Sequence, residues 1–295
     1  MRDYIREDLK NEFEFQHLID DGNFSMEFHC HDHIEIFLSV RGGKNFIIDD
    51  KIYDMHPRDL FVNNQLEVHR TIAEPKEKYE RYVLSFHHEF LQPFCTQESD
   101  LLHYVYRRPD GFSNKISLSA EQLDEFMELI DRYESLLSDE FANDVLRRLV
   151  FVELLALTAR FYRESFVLPA TALPQTATDP IAHLLEYISA HITEELNLDA
   201  LAGEIGMSKF HLCKVFKAKT GTTINKYIVT RRIAEAKYLL LQGIPVTDAC
   251  YRSGFNDLSH FIRTFHNTVG VPPGKYLSVS SSQGTNYYFG PETEK

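Results

Sequence analysis

A histidine-rich stretch near the N-terminus carries residue types that can bind either a metal ion or a polar small molecule. His29, His31 and Glu35 follow the spacing H-x-H-x-x-x-E, and His69 lies farther along the chain. Residues two apart share one face of an extended strand. The side chains that would share this face are His29, His31, His33, Glu35 and Phe37. Imidazole and carboxylate groups ligate divalent transition metals, and they also hydrogen-bond polar ligands.

Two chemistries therefore remain open at this stretch. A metal held by His29, His31, Glu35 and His69 would indicate a metal-dependent enzyme, such as an isomerase or dioxygenase. Alternatively, the same side chains would hydrogen-bond a polar ligand, or fill the interior of the sheet structure, without a metal. Elsewhere we recognise no nucleophile with its base, no phosphate-binding loop and no pair of catalytic carboxylates. We therefore predict no catalytic residue and no cofactor, while the choice between a metal and a polar ligand stays open at this point.

The polar set and the many tyrosines suit a sugar or another small polar metabolite better than a lipid. The residues that we predict to bind this ligand are His29, His31, Glu35, Phe37, His69 and Tyr82. Short β-branched and aromatic runs from Phe28 to about Phe86 must position them. Turn residues separate these runs, with hairpin signals at Gly42-Gly43 and Asp49-Asp50. The pattern predicts a small antiparallel barrel or sandwich.

Helical periodicity begins at Ser119, which is placed to cap a helix. A second helix, over residues 141–166, is apolar over most of its circumference. Such a helix must be covered, either by the core of its own subunit or by the same helix of a second subunit. Both arrangements remain open from the residue pattern alone.

Residues 196–277 contain two helix-turn-helix patterns in succession. In the first, Asn197 is placed to cap a helix that ends at Gly206, and Ser208 is placed to cap the next helix. The pattern recurs after 48 or 49 residues, and the matched pairs are Ala202 with Cys250, Gly206 with Gly254, Lys214 with Arg263, Phe216 with Phe265, and Gly221 with Gly270. A helix from about Thr223 to Leu241 joins the copies, which predicts two recognition helices held apart by one rod.

Charge is divided unevenly along the chain. The formal net charge is −13, yet residues 181–278 carry 11 basic and 8 acidic residues, whereas residues 1–180 carry 19 basic and 34 acidic ones. Between Ser208 and Arg232 there are seven basic residues and no acidic one. This local excess predicts contacts with DNA phosphates. The side chains that we expect to make them are Lys209, Lys214, Lys217, Lys219, Arg231 and Arg232.

The C-terminal pattern resembles the DNA-binding domain of AraC/XylS-type transcription regulators. The shared motifs are A-x-x-x-G-M-S, F-K-x-x-T-G, R-x-x-x-A-K-x-L-L, G-F-x-D-x-S-H-F and F-x-x-x-x-G-x-x-P-x-x-Y. The sequence departs from the family pattern at Ala200, Cys250, Leu258 and Leu277. The resemblance implies that each subunit binds double-stranded DNA in two adjacent major grooves. The residues expected to contact DNA are Ser208, Lys209, Phe210, His211, Cys213, Lys214, Lys217, Asn256, Ser259, His260 and Arg263.

Residues 10–90 resemble the cupin-type sensor domain of the same regulators. The resemblance rests on H-x-H-x-x-x-E, on the P-x-D segment at Pro57 and Asp59, and on His69. Arg58 stands where a metal-binding cupin usually has glycine, which favours a sensor without a metal. The family resemblance also favours a homodimer formed through the helices of residues 119–165. A DNA-binding protein with an inactive sensor is the remaining alternative.

These features predict an α+β chain with an N-terminal cupin-like antiparallel β-barrel, a helical dimerisation segment and a C-terminal all-α double helix-turn-helix domain. The expected boundaries are 1–167 for the sensor, 168–179 for a linker, 180–278 for the DNA-binding domain and 279–295 for a flexible tail. With no signal-peptide pattern and no membrane span, we expect a cytoplasmic protein without a membrane partner. Cys30, Cys95, Cys213 and Cys250 lack paired spacing and are expected to be free thiols.

Overall fold

The structure is a computed structural model that describes residues 11–20, 26–74, 77–106, 112–167 and 179–282, together with Leu9 and Arg108. Strands dominate the first part of the chain, two long helices follow, and the last part is entirely helical. This is the α+β arrangement that the sequence predicts. The expected linker falls outside the described residues except for Asp179, as does the expected tail beyond Ser282.

Antiparallel strands form two sheets in the N-terminal domain. They are β1 (Phe13–Asp20), β2 (Ile34–Arg41), β3 (Asn45–Ile48), β4 (Lys51–Asp54), β5 (Asp59–Asn63), β6 (His69–Ile72), β7 (Tyr79–Phe86) and β8 (Lys115–Ser117). One sheet has the strand order β1-β7-β2-β5-β8, and the other has the order β4-β3-β6. The turn at Asp49-Asp50 joins β3 and β4 in a hairpin, as predicted. The hairpin expected at Gly42-Gly43 is wrong, because this turn carries the chain from β2 in one sheet to β3 in the other. Gly42, Gly43 and Asp49 adopt positive φ.

Both faces of the larger sheet are buried, and the side chains of β2 point alternately into two different cores. Ile34, Ile36 and Leu38 pack into a core shared with the helices outside the sheet. Phe37 instead points between the two sheets, where it meets Phe46, Phe61 and Tyr79, among others. Because successive side chains in a strand point to opposite faces, Glu35 lies on the same inner face as Phe37.

Four helices accompany the sheets. They are α1 (His88–Leu91), α2 (His103–Tyr106), α3 (Ala120–Ser135) and α4 (Asn143–Val167). Ser119 caps α3 through a capping box with Gln122, which confirms the predicted start. Much of α4 is covered by its own subunit, since Phe151, Leu154 and Tyr162 are among its fully buried residues.

Exposed apolar side chains remain at the N-terminal end of α4 and in the loop before it. Phe141 is 100% exposed, Val145 54% and Leu149 51%. Leu137, after the end of α3, is 59% exposed. Val145 and Leu149 are four residues apart, which places them on one face of α4. Phe141 precedes the helix with the same spacing. We call these four residues the α4 stripe.

The C-terminal domain contains seven described helices. They are α5 (Pro180–Ala190), α6 (Leu198–Ile205), α7 (Lys209–Thr220), α8 (Ile224–Leu241), α9 (Val246–Arg252), α10 (Leu258–Val269) and α11 (Pro273–Ser282). Asp179 caps α5, with Pro180 in the first helical position, as predicted. The side chains of Asn197 and Ser208 cap α6 and α7, and these predicted caps are also confirmed.

Three predictions about element boundaries need correction. The strand expected from Phe28 begins at Ile34, because residues 28–33 pair with β6 only through an isolated bridge between His29 and His69. The sequence reading did not identify β1 or β8, which pair with β7 and β5 at the two edges of the larger sheet. Helix α11 continues to Ser282, past the expected domain end at residue 278.

The two domains share an apolar core. Phe28, Ile47 and Val68 of the N-terminal domain pack in one cluster with residues of α5 to α8, including Tyr227. The edge of the Phe28 ring meets Tyr227 with 5.1 Å between ring centroids. The sequence pattern, which indicates two domains joined by a linker, does not predict this contact between the domains.

Across the described part of the chain, no helix combines the length and apolar character needed to cross a membrane. All four cysteines are free, which confirms that prediction.

Candidate DNA-binding surface and sensor site

Helix α7 presents a polar and basic surface to solvent while its apolar side anchors it. Leu212 and Phe216 are fully buried, whereas Phe210 is 81% exposed. The residues of the first unit that were predicted to contact DNA are all exposed, namely Ser208, Lys209, Phe210, His211, Cys213, Lys214 and Lys217. A recognition helix needs one buried side that fixes it to its domain and one exposed side that can enter a major groove, and α7 has both.

Helix α10 repeats this arrangement. Phe261 and Phe265 are fully buried, and the predicted contacts Asn256, Ser259, His260 and Arg263 are exposed. Asp257 caps α10 by accepting a hydrogen bond from the backbone N–H of His260. Both helices therefore present open N-terminal halves, the part that reaches base edges in helix-turn-helix proteins.

The two turns between helices differ by one residue but use the same backbone conformation. Gly206 has a φ of 69° and Gly254 a φ of 91°. Only glycine adopts such angles freely, and a Cβ at Gly254 would lie 2.5 Å from the carbonyl oxygen of Ile192. Since α7 and α10 begin 49 residues apart while these glycines are 48 apart, the extra residue lies in the second turn, as predicted.

Four of the six basic residues expected at phosphates have partners within the protein. Lys209 pairs with Asp199 and Lys219 with Asp179 in partly exposed contacts. Arg231 is largely buried and forms an ion pair with Asp49 of the sensor. Arg232 donates hydrogen bonds to the carbonyl oxygens of Ile192 (2.9 Å) and Glu194 (2.6 Å). The expectation that these two arginines contact DNA is therefore wrong for this conformation, because both guanidinium groups are engaged inside the protein. Lys214 and Lys217 stay exposed on α7.

In the sensor, the structure brings together His29, His31, Glu35 and His69, as predicted from their spacing. Antiparallel backbone hydrogen bonds hold His29 against His69, at 3.1 and 2.9 Å. A ring nitrogen of each histidine lies within 4.8 Å of those of the other two. The Glu35 carboxylate lies 3.7 Å from Nε2 of His31 and 3.8 Å from Nε2 of His69.

Burial controls the charge of this His-Glu cluster. It lowers the pKa of His69 to about 4, and it lowers the pKa values of His29 and His31, with the neighbouring imidazoles adding to the effect. Burial alone would raise the pKa of Glu35, but contact with His31 and the nearby His69 hold it well below its usual range. At neutral pH the cluster thus consists of three neutral imidazoles and one carboxylate.

Three other residues expected near the cluster have different surroundings. Phe37 lies on the same inner face but packs among aromatic rings, including Phe61 at 5.4 Å. His33 stacks on His31 at 3.7 Å. Tyr82 pairs with Leu38 across the sheet and shares its outer face, where it stacks on His17. The structure therefore separates Tyr82 from the His-Glu cluster, because its strand position has the opposite parity.

A polar cavity of about 260 Å³ opens elsewhere on the sensor, beside the turn between β3 and β4. Its lining includes Asp49, Glu67, Arg108, Phe112 and Asn114. Arg108 forms a 2.5 Å ion pair with Glu67, which also accepts a hydrogen bond from Asn114. The sequence reading missed this cavity, because its lining comes from segments up to 66 residues apart that no motif connects.

Family comparison identifies both domains. Residues 17–150 match the AraC-like ligand binding domain, and residues 201–278 match a helix-turn-helix domain. The multiple antibiotic resistance protein MarA of Escherichia coli (strain K12) is 32% identical over 112 residues, which are 38% of this chain and 87% of MarA. The chain belongs to the AraC family of transcription regulators.

Other relatives extend the likeness over more of the chain. The HTH-type transcriptional regulator YbfI of Bacillus subtilis (strain 168) is 26% identical over 232 residues, covering 79% of this chain and 80% of YbfI. A solved structure of ToxT from Vibrio cholerae covers 91% of this chain and 97% of its own, with 15% identity and a TM-score of 0.37. The two family matches make the chain a sequence-specific DNA-binding transcription regulator with a ligand-binding domain rather than an enzyme.

In this AraC-family chain, the polar cavity and the DNA-binding domain meet at Asp49. Its backbone carbonyl accepts a 2.5 Å hydrogen bond from the Tyr227 hydroxyl, and its carboxylate pairs with Arg231. The same carboxylate accepts a 3.0 Å hydrogen bond from the backbone N–H of Val68. Tyr227 and Arg231 are four residues apart on one face of α8, the helix that joins the two helix-turn-helix units.

Proposed function

We propose that this protein is a homodimeric regulator whose DNA binding responds to a small polar ligand, with a sugar as the first candidate. One observation carries the proposal: Asp49 lines the polar cavity and at the same time pairs with Arg231 of α8. A ligand that hydrogen-bonds Asp49 would compete with Arg231 for the carboxylate. It would thereby shift the balance between docked and released positions of the DNA-binding domain.

The chemistry of the cavity supports a hydroxyl-rich ligand. Carboxylates of Asp49 and Glu67 accept hydrogen bonds from hydroxyl groups, and Arg108 donates them. Phe112 adds an apolar side chain to the lining. The cavity volume of about 260 Å³ is near the lower end of the roughly 300–1,000 Å³ typical of ligand sites, which favours a monosaccharide-sized molecule. This assignment moves the proposed ligand from the His-Glu cluster, whose rings lie too close together to admit a sugar.

The release step can be tested with two variants that preserve shape. Asparagine tolerates positive φ and keeps an oxygen for the Val68 N–H, so Asp49→Asn removes the charge without changing the turn. Arg231→Gln removes the other charge. We expect both variants to bind DNA with an affinity closer to that of the ligand-saturated wild type, and to respond less to ligand. Glu74→Gln is the matched control, because Glu74 pairs with Lys44 inside the sensor.

The ligand itself can be sought by thermal stabilisation of the full-length protein with a panel of pentoses, hexoses, polyols and sugar acids. A ligand that binds only the folded state raises its stability by mass action. A member of the panel that stabilises the protein should also change its affinity for promoter DNA. Stabilisation by fatty acids alone would contradict the polar-ligand proposal. DNA binding that no molecule alters would favour the alternative of an inactive sensor.

The α4 stripe supports the dimer. Four large apolar side chains between residues 137 and 149, at or just before the start of α4, are half-exposed or more, and exposed apolar surface of this kind commonly marks an interface. We infer that the same stripe of a second copy covers it, in an isologous contact. Each subunit would then place α7 and α10 in two adjacent major grooves. Since such a regulator acts where transcription occurs, we assign it to the cytoplasm.

A further inference from the structure

The His-Glu cluster is not explained by the proposed ligand cavity, and its hydrogen bonds fix the form of each imidazole. Nδ1 of His29 lies 3.0 Å from the carbonyl oxygen of Glu27, and Nδ1 of His31 lies 2.9 Å from that of His33. Nδ1 of His69 lies 2.9 Å from the carbonyl oxygen of Glu67. A carbonyl oxygen can only accept, so each Nδ1 must carry a proton and donate it.

Because each Nδ1 is engaged with a backbone carbonyl, Nε2 of each ring is the nitrogen left to face the cluster. Nε2 of His31 and Nε2 of His69 are buried, and neither has a hydrogen-bond partner among the described residues. Both point toward the Glu35 carboxylate, which also carries only acceptors. Buried ring nitrogens and carboxylate oxygens that face one another without a hydrogen bond are unfavourable unless a positive charge lies between them.

We propose that His29, His31, His69 and Glu35 bind one divalent transition-metal ion. Three imidazole nitrogens and one carboxylate oxygen form a ligand set suited to Zn²⁺, Fe²⁺, Ni²⁺ or Co²⁺ rather than to Mg²⁺ or Ca²⁺, which prefer oxygen ligands. The ring nitrogens already lie within 4.8 Å of one another. Small shifts would bring them to the metal–nitrogen distance of about 2.0–2.1 Å that Zn²⁺ requires.

Surrounding contacts orient the ligands as they do in metal sites. Each histidine donates its second nitrogen to a backbone carbonyl, which is the usual way in which a protein fixes the tautomer and direction of a metal-binding imidazole. Asn63 donates a 3.0 Å hydrogen bond to Glu35 Oε1 and so holds the carboxylate. The backbone bridge between His29 and His69 fixes two ligands from different segments.

The His-Glu cluster is adjacent in sequence to residues that contact the DNA-binding domain. Phe28 and Cys30 flank His29, and both contact α8: Phe28 packs against Tyr227, and Nζ of Lys237 lies 3.7 Å from Sγ of Cys30. Metal binding can nevertheless be measured without DNA or ligand. The result of a metal-binding measurement therefore does not depend on whether the proposed ligand regulates DNA binding.

The test uses full-length protein stripped with a chelator and dialysed. Titration with Co²⁺ followed by visible absorption, and with Zn²⁺ by calorimetry, should show one equivalent bound, while Mg²⁺ should not bind. Zn²⁺ should raise the unfolding temperature. Glu35→Gln and His69→Ala should weaken Zn²⁺ binding by at least about 100-fold, and Asn63→Ala by about 10- to 100-fold, as expected for loss of an outer partner.

His17→Ala is the matched control, because it removes an imidazole that lies outside the cluster and contacts Glu80. This variant should bind Zn²⁺ as the wild type does. Glu35→Gln is nearly isosteric, so circular dichroism of this variant separates loss of metal from loss of fold. Absence of stoichiometric binding by the wild type would overturn the proposal. Equal affinity of Glu35→Gln and wild type, with both folded, would overturn it as well.

Discussion

Arg263 and Lys214 occupy matching, exposed positions on the two recognition helices. Arginine reads guanine through two hydrogen bonds to O6 and N7, whereas either side chain can also contact a phosphate. We expect Arg263→Ala to weaken binding by about 1–3 kcal/mol and to relax specificity at one base pair. Binding to a set of single-base promoter variants would measure this. An equal loss on every variant would show a phosphate contact instead.

Lys217 lies farther along α7 and is exposed. A lysine at this position is suited to a phosphate, so we expect Lys217→Gln to weaken binding nearly equally on all sequences. The slope of log affinity against log salt should fall by about 1, because one fewer counterion is released. Lys44→Gln in the sensor serves as the control and should leave the slope unchanged.

The exposure of a residue could be predicted from the sequence where it depends only on the residue's position in one helix. Helical periodicity accounts for the buried Leu212 and Phe216, although it also grouped the exposed Phe210 with them. The eleven DNA contacts expected with the help of the family resemblance all lie on exposed surface. Tyr82 was misplaced because the face of a strand residue depends on the parity of its position, which a run of aromatic residues does not define. The engagement of Arg231 was not predictable, since its partner Asp49 is 182 positions away.

At the scale of single elements, capping controls where α6 begins. The Asn197 side chain accepts a 2.9 Å hydrogen bond from the backbone N–H of Ala200. Asn197→Ala should lower the free energy of unfolding by about 1 kcal/mol, because that N–H loses its partner. Asn197→Asp should retain most of the stability, since aspartate also caps. Denaturant unfolding of the three proteins would compare them, and equal midpoints would contradict the role of the cap.

The α4 stripe gives a prediction about assembly. Replacing Phe141 with Ser and Leu149 with Glu together should convert the proposed dimer into a folded monomer, because both side chains are exposed within one subunit and a buried charge would oppose association. Sedimentation velocity measures the change. Ile19→Ser, an exposed apolar position on β1, is the control and should remain dimeric. A wild type that sediments as a monomer would refute the dimer.

Helices were easier to derive from the sequence than strands. Caps at Ser119, Asp179, Asn197 and Ser208 and the glycine turns define helix ends locally, and the structure confirms them. The edge strands β1 and β8 are stabilised by pairing with distant partners, β7 and β5. The three residues of β8 are too few to show a period. In β1, Phe13 and Phe15 alternate with Glu14 and Gln16, a local strand signal that was missed.

At the scale of the whole molecule, the shared core predicts joint unfolding of the domains. Phe28, Ile47 and Val68 are buried against the DNA-binding domain, so separation of the domains would expose them to water. Calorimetry of the full-length protein should therefore show one cooperative transition. Ile47→Ala should cost about 2–5 kcal/mol, as for other large-to-small changes in a core. Two well-separated transitions would contradict this coupling.

The same buried contact limits how freely such regulators can exchange parts during evolution. A recombinant that joined the last hundred residues of this chain to a foreign sensor would inherit Tyr227 and Arg231 on α8 without the Phe28 ring and Asp49 turn that cover them. Its DNA-binding domain would be left with an uncovered hydrophobic patch and an unpaired guanidinium. Selection should therefore retain the two halves as a matched pair, and sensors should be inherited together with their own copy of α8.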